Sequence, residues 1–174
     1  MATYKIDPAH SEIKFKVKHL MITNVTGEFK TFDATMESDK EDFSDAKISF
    51  AADVDSISTN QEQRDDHLKS DDFFNAEKFP KLTFASKELK HVSGSDYKLI
   101  GDLTIRDITK EVVLDVEFGG RMTDAYGQDK AGFELTGKIS RSAFGLKWSA
   151  VTEAGGVVVG DEVKLQLAAQ MVKQ

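Results

Sequence analysis

Over residues 11–18 apolar and charged side chains alternate without a break. Ile13, Phe15 and Val17 fall on one side; Glu12, Lys14, Lys16 and Lys18 fall on the other. Successive side chains of an extended chain point to opposite faces, so a period of two specifies a strand with one buried and one wet face. The pattern then returns along the chain. Phe32, Ala34 and Met36 carry it in a segment from Gly27 to Ser38, with Phe29 out of phase and a bulge expected near Lys30–Thr31. Ile48, Phe50, Ala52 and Val54 form a third segment, and Leu82 and Phe84 open a fourth. Tyr97, Leu99, Gly101, Leu103 and Ile105 line a fifth, which the Ser93-Gly94-Ser95 turn joins to the fourth as a hairpin. Val112, Leu114, Val116 and Phe118 face inward in a sixth. Ala131, Phe133, Leu135, Gly137 and Ile139 do so in a seventh, and Val163, Leu165, Leu167, Ala169 and Met171 in an eighth.

Long alternating strands joined by short turns pair antiparallel. Several span about ten residues, roughly 33 Å, and long edges of that kind invite aggregation unless the sheet closes on itself. The expected fold is therefore all-β: one antiparallel eight-stranded barrel spanning residues 1–174 as a single domain.

One stretch breaks the pattern. Residues 58–80 read STNQEQRDDHLKSDDFFNAEKFP, which is charged, helix-prone and poor in β-branched residues. Asn60 with Gln63 three residues on resembles a capping box, and a helix is expected to about Leu68. Ser70 followed by Asp71 and Asp72 predicts a second N-cap. The segment is thus a short helical insertion at about 60–76, connecting the third and fourth strands. Its Phe73 and Phe74 must bury something, and an open barrel end is the natural target, which makes them candidate lid residues.

Composition excludes several functions. The net charge of −7 disfavours nucleic-acid binding, which wants a basic surface. With no cysteine there is no disulfide, thiolate metal site or Cys nucleophile. No apolar run is long enough for a membrane span. The N-terminus shows no apolar leader core, so the expected location is cytoplasmic unless a leader was removed. No G-x-S-x-G elbow is present, and GGVVVG at 155–160 lacks the Lys of a phosphate loop. His10, His19, His67 and His91 lack close ligand spacing, although His67 with Asp65 or Asp71 would allow a surface metal site. No catalytic residue, metal site or cofactor is assigned.

The stretches DPAHSEIKFKVKHL (7–20), GEFKTF (27–32), SISTNQEQRDDHLKSDDFF (56–74), FPKLTF (79–84), GDLTIRDITK (101–110) and ISRSAFG (139–145) together resemble the YceI-like family. That resemblance implies a lipocalin-like barrel that binds polyisoprenoids or related lipids, with a homodimer as the implied assembly. Asp107 stands where the family pattern usually has Gly. Asp tolerates a left-handed turn better than most residues, so the turn is expected to survive.

The interior rows mix large residues with Gly101, Gly137, Ala34, Ala52 and Ala169. A strand glycine marks a bend or a place where space is left, and the residues alone leave both readings open. The resemblance implies a real cavity. Its expected apolar lining is Phe15, Val17, Phe50, Phe84, Leu99, Leu103, Leu114, Phe133 and Leu135; each would serve equally as core packing. Such a wall favours a long isoprenoid or fatty-acyl chain. Arg64, His67 and Arg141 are the polar candidates for the mouth, with Arg64 suited to a phosphate or carboxylate. The plainer reading is that these residues pin the helix and neighbouring strands. Asp7, His10 and Ser11 read as a turn that fixes the first strand. Lone Trp148 reads as packing or as a gate at a barrel end. Carriage or sequestration of a lipid is the leading expectation. An enzyme acting on such a lipid at the mouth, or a stress-related structural protein with a filled core, are the rivals.

Overall fold

The structure, a computed structural model, describes residues 1–20, 22–148 and 159–174. Strands dominate, numbered here in chain order: β1 (Ala2–Ile6), β2 (Glu12–His19), β3 (Thr23–Phe29), β4 (Phe32–Ser38), β5 (Lys47–Asp53), β6 (Ile57–Ser58), β7 (Lys81–Ser93), β8 (Asp96–Ile105), β9 (Ile108–Thr123), β10 (Asp129–Ser140) and β11 (Val159–Lys173). The one α-helix among the described residues, α1, is Glu62–Lys69.

The sheet closes. Neighbours run β1-β4-β5-β7-β8-β9-β10-β11, and β11 returns to β1, so the ring has eight antiparallel strands. The remaining three strands extend its wall. β11 is long enough to hold two partners: Met171–Lys173 pair with β1, and Val159–Ala168 pair with β2. β3 adds to β2, and β6 adds to β3.

The chain changes from β1 to β2 through a single 3₁₀ turn at Pro8–His10. The Asp7 carboxylate caps that turn, accepting from Ala9 N–H at 3.0 Å and from the His10 ring at 2.7 Å. The Ser11 hydroxyl accepts from Gln170 N–H at 3.0 Å and anchors the turn to β11. These are the three residues expected to fix the first strand. The preceding strand β1 was not anticipated: only Tyr4 and Ile6 of its five residues are buried and apolar, too short a signal for a period of two.

At Lys30–Thr31 the expected bulge is a full break between β3 and β4. Lys30 N–H donates to Ser56 O, and Thr31 O accepts from Asp53 N–H. Pairing passes from one neighbour to another there, which is why Phe29 and Phe32 are out of phase. The β7–β8 hairpin forms as expected, with Gly94 at φ 53° in its turn. In the β8–β9 turn the left-handed residue is Arg106, at φ 55°, and not Asp107. The Arg106 guanidinium holds the insertion: Nη1 donates to Asp71 O and Phe73 O, both at 2.8 Å, and Nη2 pairs with the Asp71 carboxylate at 2.9 Å.

The insertion differs from expectation at both caps. Asn60 lies at φ 62° and cannot be the N-cap, which needs extended backbone. Gln61 takes that position without a side-chain bond. The helix start is fixed instead by Asp65, whose Oδ1 accepts from Thr59 N–H at 2.8 Å and from the Thr59 hydroxyl at 2.6 Å. Ser70 ends α1 and does not begin a second helix; its hydroxyl donates to His67 O at 2.5 Å. Residues 71–74 are turns.

Candidate functional site

The barrel encloses a cavity of about 610 Å³. Its wall is built from the inward rows the alternation predicts. Phe15 and Val17 come from β2, Phe50 from β5, Phe84 from β7 and Leu99 and Leu103 from β8. Leu114 of β9 and Phe133 and Leu135 of β10 complete the set of nine expected lining residues, all of which border the cavity. The interior rows leave this space between them, where a filled core would have closed it.

The glycines explain part of that outcome, in a way neither sequence reading anticipated. A Cβ on Gly101 would fall closer than 3.0 Å to the Phe84 ring and 2.5 Å from Ala85 O. One on Gly137 would collide with the Leu114 side chain, and one on Gly27 with the Phe15 ring. Each missing side chain therefore seats a neighbour against the wall. The glycines do not themselves leave empty volume; they hold Phe15, Phe84 and Leu114 flat.

One end is sealed. Phe43, from the β4–β5 loop, is 1% exposed and sits at φ 60°, an uncommon conformation for an aromatic residue. It meets Tyr4, Phe118 and Phe133 edge-on at centroid distances of 5.4, 5.5 and 5.6 Å. The Arg121 guanidinium covers it from outside at 4.8 Å and donates to the Tyr4 hydroxyl at 2.7 Å. The loop behind it is knotted on Asp45, which accepts from the Ser38 hydroxyl at 2.5 Å and from Asp39 and Lys40 N–H groups. These bonds hold its carboxyl down at about 2. Sequence reading missed this plug; a single Phe inside the acidic loop DKEDFSDA was its only trace.

Nearly all polarity in the described lining lies at the other end. His19 belongs to β2, and Thr59, Gln61, Gln63, Arg64 and His67 belong to the insertion. Arg64 pins its own segment, donating from Nε to the Thr59 hydroxyl at 2.7 Å and from Nη2 to Thr59 O at 2.8 Å. Among the described residues its Nη1 makes no hydrogen bond. His67 Nε2 meets the Asp72 carboxylate at 2.8 Å, and its ring stands edge-on to Trp148 at 4.8 Å and to Phe73 at 5.1 Å. Asp65 serves Thr59 and Asp71 serves Arg106, so the three groups of the alternative metal site point to different partners. Among the described residues no group of three or more His, Asp or Glu side chains could hold a metal ion.

Arg141 borders the cavity and is 6% exposed. Its Nε donates to Gly160 O, Nη1 to Leu146 O and Trp148 O, and Nη2 to Val159 O, at 2.7–3.1 Å. Burial lowers its pKa, with Asp161 opposing. Arg141 therefore ties the turn after β10 to the start of β11. Phe73 is buried against this group, His67 and Trp148. Phe74 stands edge-on to Phe29 at 5.9 Å. Both rings border the cavity, as a lid would. Residues 155–158 of the GGVVVG stretch lie outside the described residues, and Trp148, expected as packing or a gate, packs against His67 and Phe73.

A closed antiparallel barrel with an apolar interior, one plugged end and one polar end defines the class of lipocalin-like barrels. More narrowly, residues 4–171 match the YceI-like domain, and the chain belongs to that family. A UPF0312 protein of Staphylococcus aureus (strain USA300) is 40% identical over 98% of this chain and 97% of its own. Among solved structures, the YCEI protein of Campylobacter jejuni is 35% identical, with a TM-score of 0.77 over 90% of both chains. Burkholderia cenocepacia BcnA superposes with a TM-score of 0.83 at 24% identity, covering 95% of this chain and 98% of its own. A polyisoprenoid-binding domain from Saccharophagus degradans shares the fold at 13% identity, with a TM-score of 0.70 over 98% of both chains. Among the described residues no helix is long and apolar enough to cross a membrane.

Proposed function

We propose that this protein binds one long apolar lipid of the polyisoprenoid class inside the barrel and carries or sequesters it without covalent chemistry. The carrying observation is the cavity of about 610 Å³, apolar along its length and polar almost only at one end. Such a space matches a molecule with a long hydrocarbon tail and a small head. Each buried methylene contributes about 0.8 kcal/mol before ordering costs, so a tail of about ten carbons provides useful affinity unaided. Membership of the YceI-like family supports the reading, as does the polyisoprenoid binding named for the Saccharophagus degradans domain of the same fold. The nine apolar lining residues would hold the tail. Arg64, through Nη1, and His67 would meet the head, and Phe73 and Phe74 would cover it.

Binding without turnover is favoured by the lining chemistry. Among the described residues the wall carries no carboxylate, Ser or Tyr. The Thr59 hydroxyl donates to Asp65 and accepts from Arg64 Nε, which ties it into the start of the insertion. The test is native mass spectrometry of protein purified without detergent, followed by titration of stripped protein with prenols and fatty acids delivered from cyclodextrin. A co-purified isoprenoid and saturable prenol uptake are expected. Time-dependent conversion of the lipid would replace carriage with catalysis, and indifference to both lipid types would overturn the proposal.

A further inference from the structure

The outer face of β10, β11 and β2 contradicts the acidic character of the chain. Lys16 lies directly opposite Lys164, and Lys164 directly opposite Lys138, so three lysines stand side by side across three strands. Like charges in directly opposed positions destabilise a sheet. Lys14 and Lys18 flank that row on β2, and Lys16, Lys18, Lys138 and Lys164 are all exposed. The acids nearby are few: Glu12 lies 3.4 Å from Lys14, Glu28 of β3 stands opposite Lys14, and Glu162, two residues before Lys164, lies 3.9 Å from Lys138. Among the described residues Lys16, Lys18 and Lys164 have no ion-pair partner. The lysines of β7 and β8 behave differently. Lys87 pairs with Asp102 and Glu111, and Lys98 pairs with Asp115.

The β2–β3 hairpin that continues this face ends in exposed apolar side chains. Ile22 is 81% exposed and Leu20 42%. Leu20 sits at φ 52°, a conformation that Gly or Asn would occupy with less strain. An apolar residue thus stands in a position whose local geometry favours a polar one. The same hairpin reaches the polar end of the cavity, where Val17, His19 and Val25 border the interior.

We infer that the lysine row and the Leu20/Ile22 hairpin tip form a docking surface for an anionic lipid bilayer, which presents the polar end of the cavity to the membrane. The apolar tip enters the interface while the lysines face the headgroups. This charge complementarity selects a bilayer over a neutral partner, and the portal-side position gives a bound lipid a short route in and out. The inference rests on the lipid-binding reading for its purpose, but not for its physics.

The experiment uses the full chain with vesicles of phosphatidylcholine alone or with added phosphatidylglycerol, read by flotation. Binding to the anionic vesicles, weakened by salt, is expected, with little binding to the neutral ones. Each of Lys16→Glu and Lys164→Glu should weaken binding about fivefold or more, the effect of removing a lysine from an anionic surface. Leu20→Asn with Ile22→Ser should reduce binding while far-UV circular dichroism stays unchanged. Lys98→Glu, on β8 outside the row and paired with Asp115, should leave it as it was. No flotation with either vesicle, or equal loss in Lys98→Glu, would overturn the inference and leave the tip to a protein partner. Prenol uptake from cyclodextrin, measured on the same samples, keeps the two proposals apart: uptake without flotation sinks the docking surface alone, and flotation without uptake sinks only the lipid cargo.

Discussion

The Phe84 ring of β7 lies over the Cα of Gly101 on β8, in the space a side chain there would fill. The wall is thinned at one residue so that a large ring on the next strand can lie flat. Width in this barrel is therefore set pairwise, by a missing side chain and the neighbour that covers it.

Gly101→Ala should break that arrangement. The new Cβ would meet both the Phe84 ring and the Ala85 carbonyl, and backbone does not yield as a flexible side chain does. Overpacking of this kind costs about 1–3 kcal/mol. A lower denaturation midpoint is expected, with reduced prenol uptake as Phe84 turns into the cavity. Unchanged uptake at reduced stability would show that the ring does not set the bore.

Arg141→Met tests the knot between β10 and β11. Four backbone carbonyls lose their donor together, in a place that is almost fully buried. Leaving buried acceptors unpaired costs roughly 3 kcal/mol or more in total. Arg141→Lys should recover only a little, because an ammonium cannot reach carbonyls spread around a planar fork. If Arg141 bound the headgroup instead, affinity would fall and the melting temperature would hold.

Replacing Phe73 and Phe74 by Ala should loosen the polar end. Phe73 is packed on His67 and Trp148, and Phe74 on Phe29. Faster release of a bound prenol is expected in stopped-flow exchange. A fall in stability with unchanged exchange would make these rings core and not lid.

Asp45 gives a signed pH dependence. The Ser38 hydroxyl, first, and the Asp39 N–H hold its folded pKa at about 2, below the ordinary value of 3.8. A depressed carboxyl stabilises the folded state above its unfolded pKa and loses that contribution as pH falls through the folded one. The stability of the wild type should therefore drop between about pH 4 and pH 2, and Asp45→Asn should show a shallower drop with a lower plateau at neutral pH. Parallel curves for the two proteins in urea titrations across that range would refute the role of this loop.

Much of this molecule is legible in one dimension. Alternation located seven of the eight ring strands, and β2 beside them, because a period of two survives wherever one face is buried, and the nine residues named for the lining border the cavity for the same reason. It failed at β1, where too few residues carry the pattern, and at Lys30–Thr31, where a change of pairing partner looks like a bulge. The helix caps were misread because Asn60 adopts a left-handed backbone, which leaves the N-cap to Gln61, and because Ser70 closes α1 instead of opening a second helix.

The sequence by itself determined that the chain is a closed sheet with an apolar inner face, since periodicity and charge are local properties. Tertiary structure alone decided that the barrel encloses a cavity, that Phe43 plugs one end and that Arg141 clamps four backbone carbonyls. Those outcomes depend on which side chains meet across strands far apart in the chain, and no local pattern encodes a distance between them.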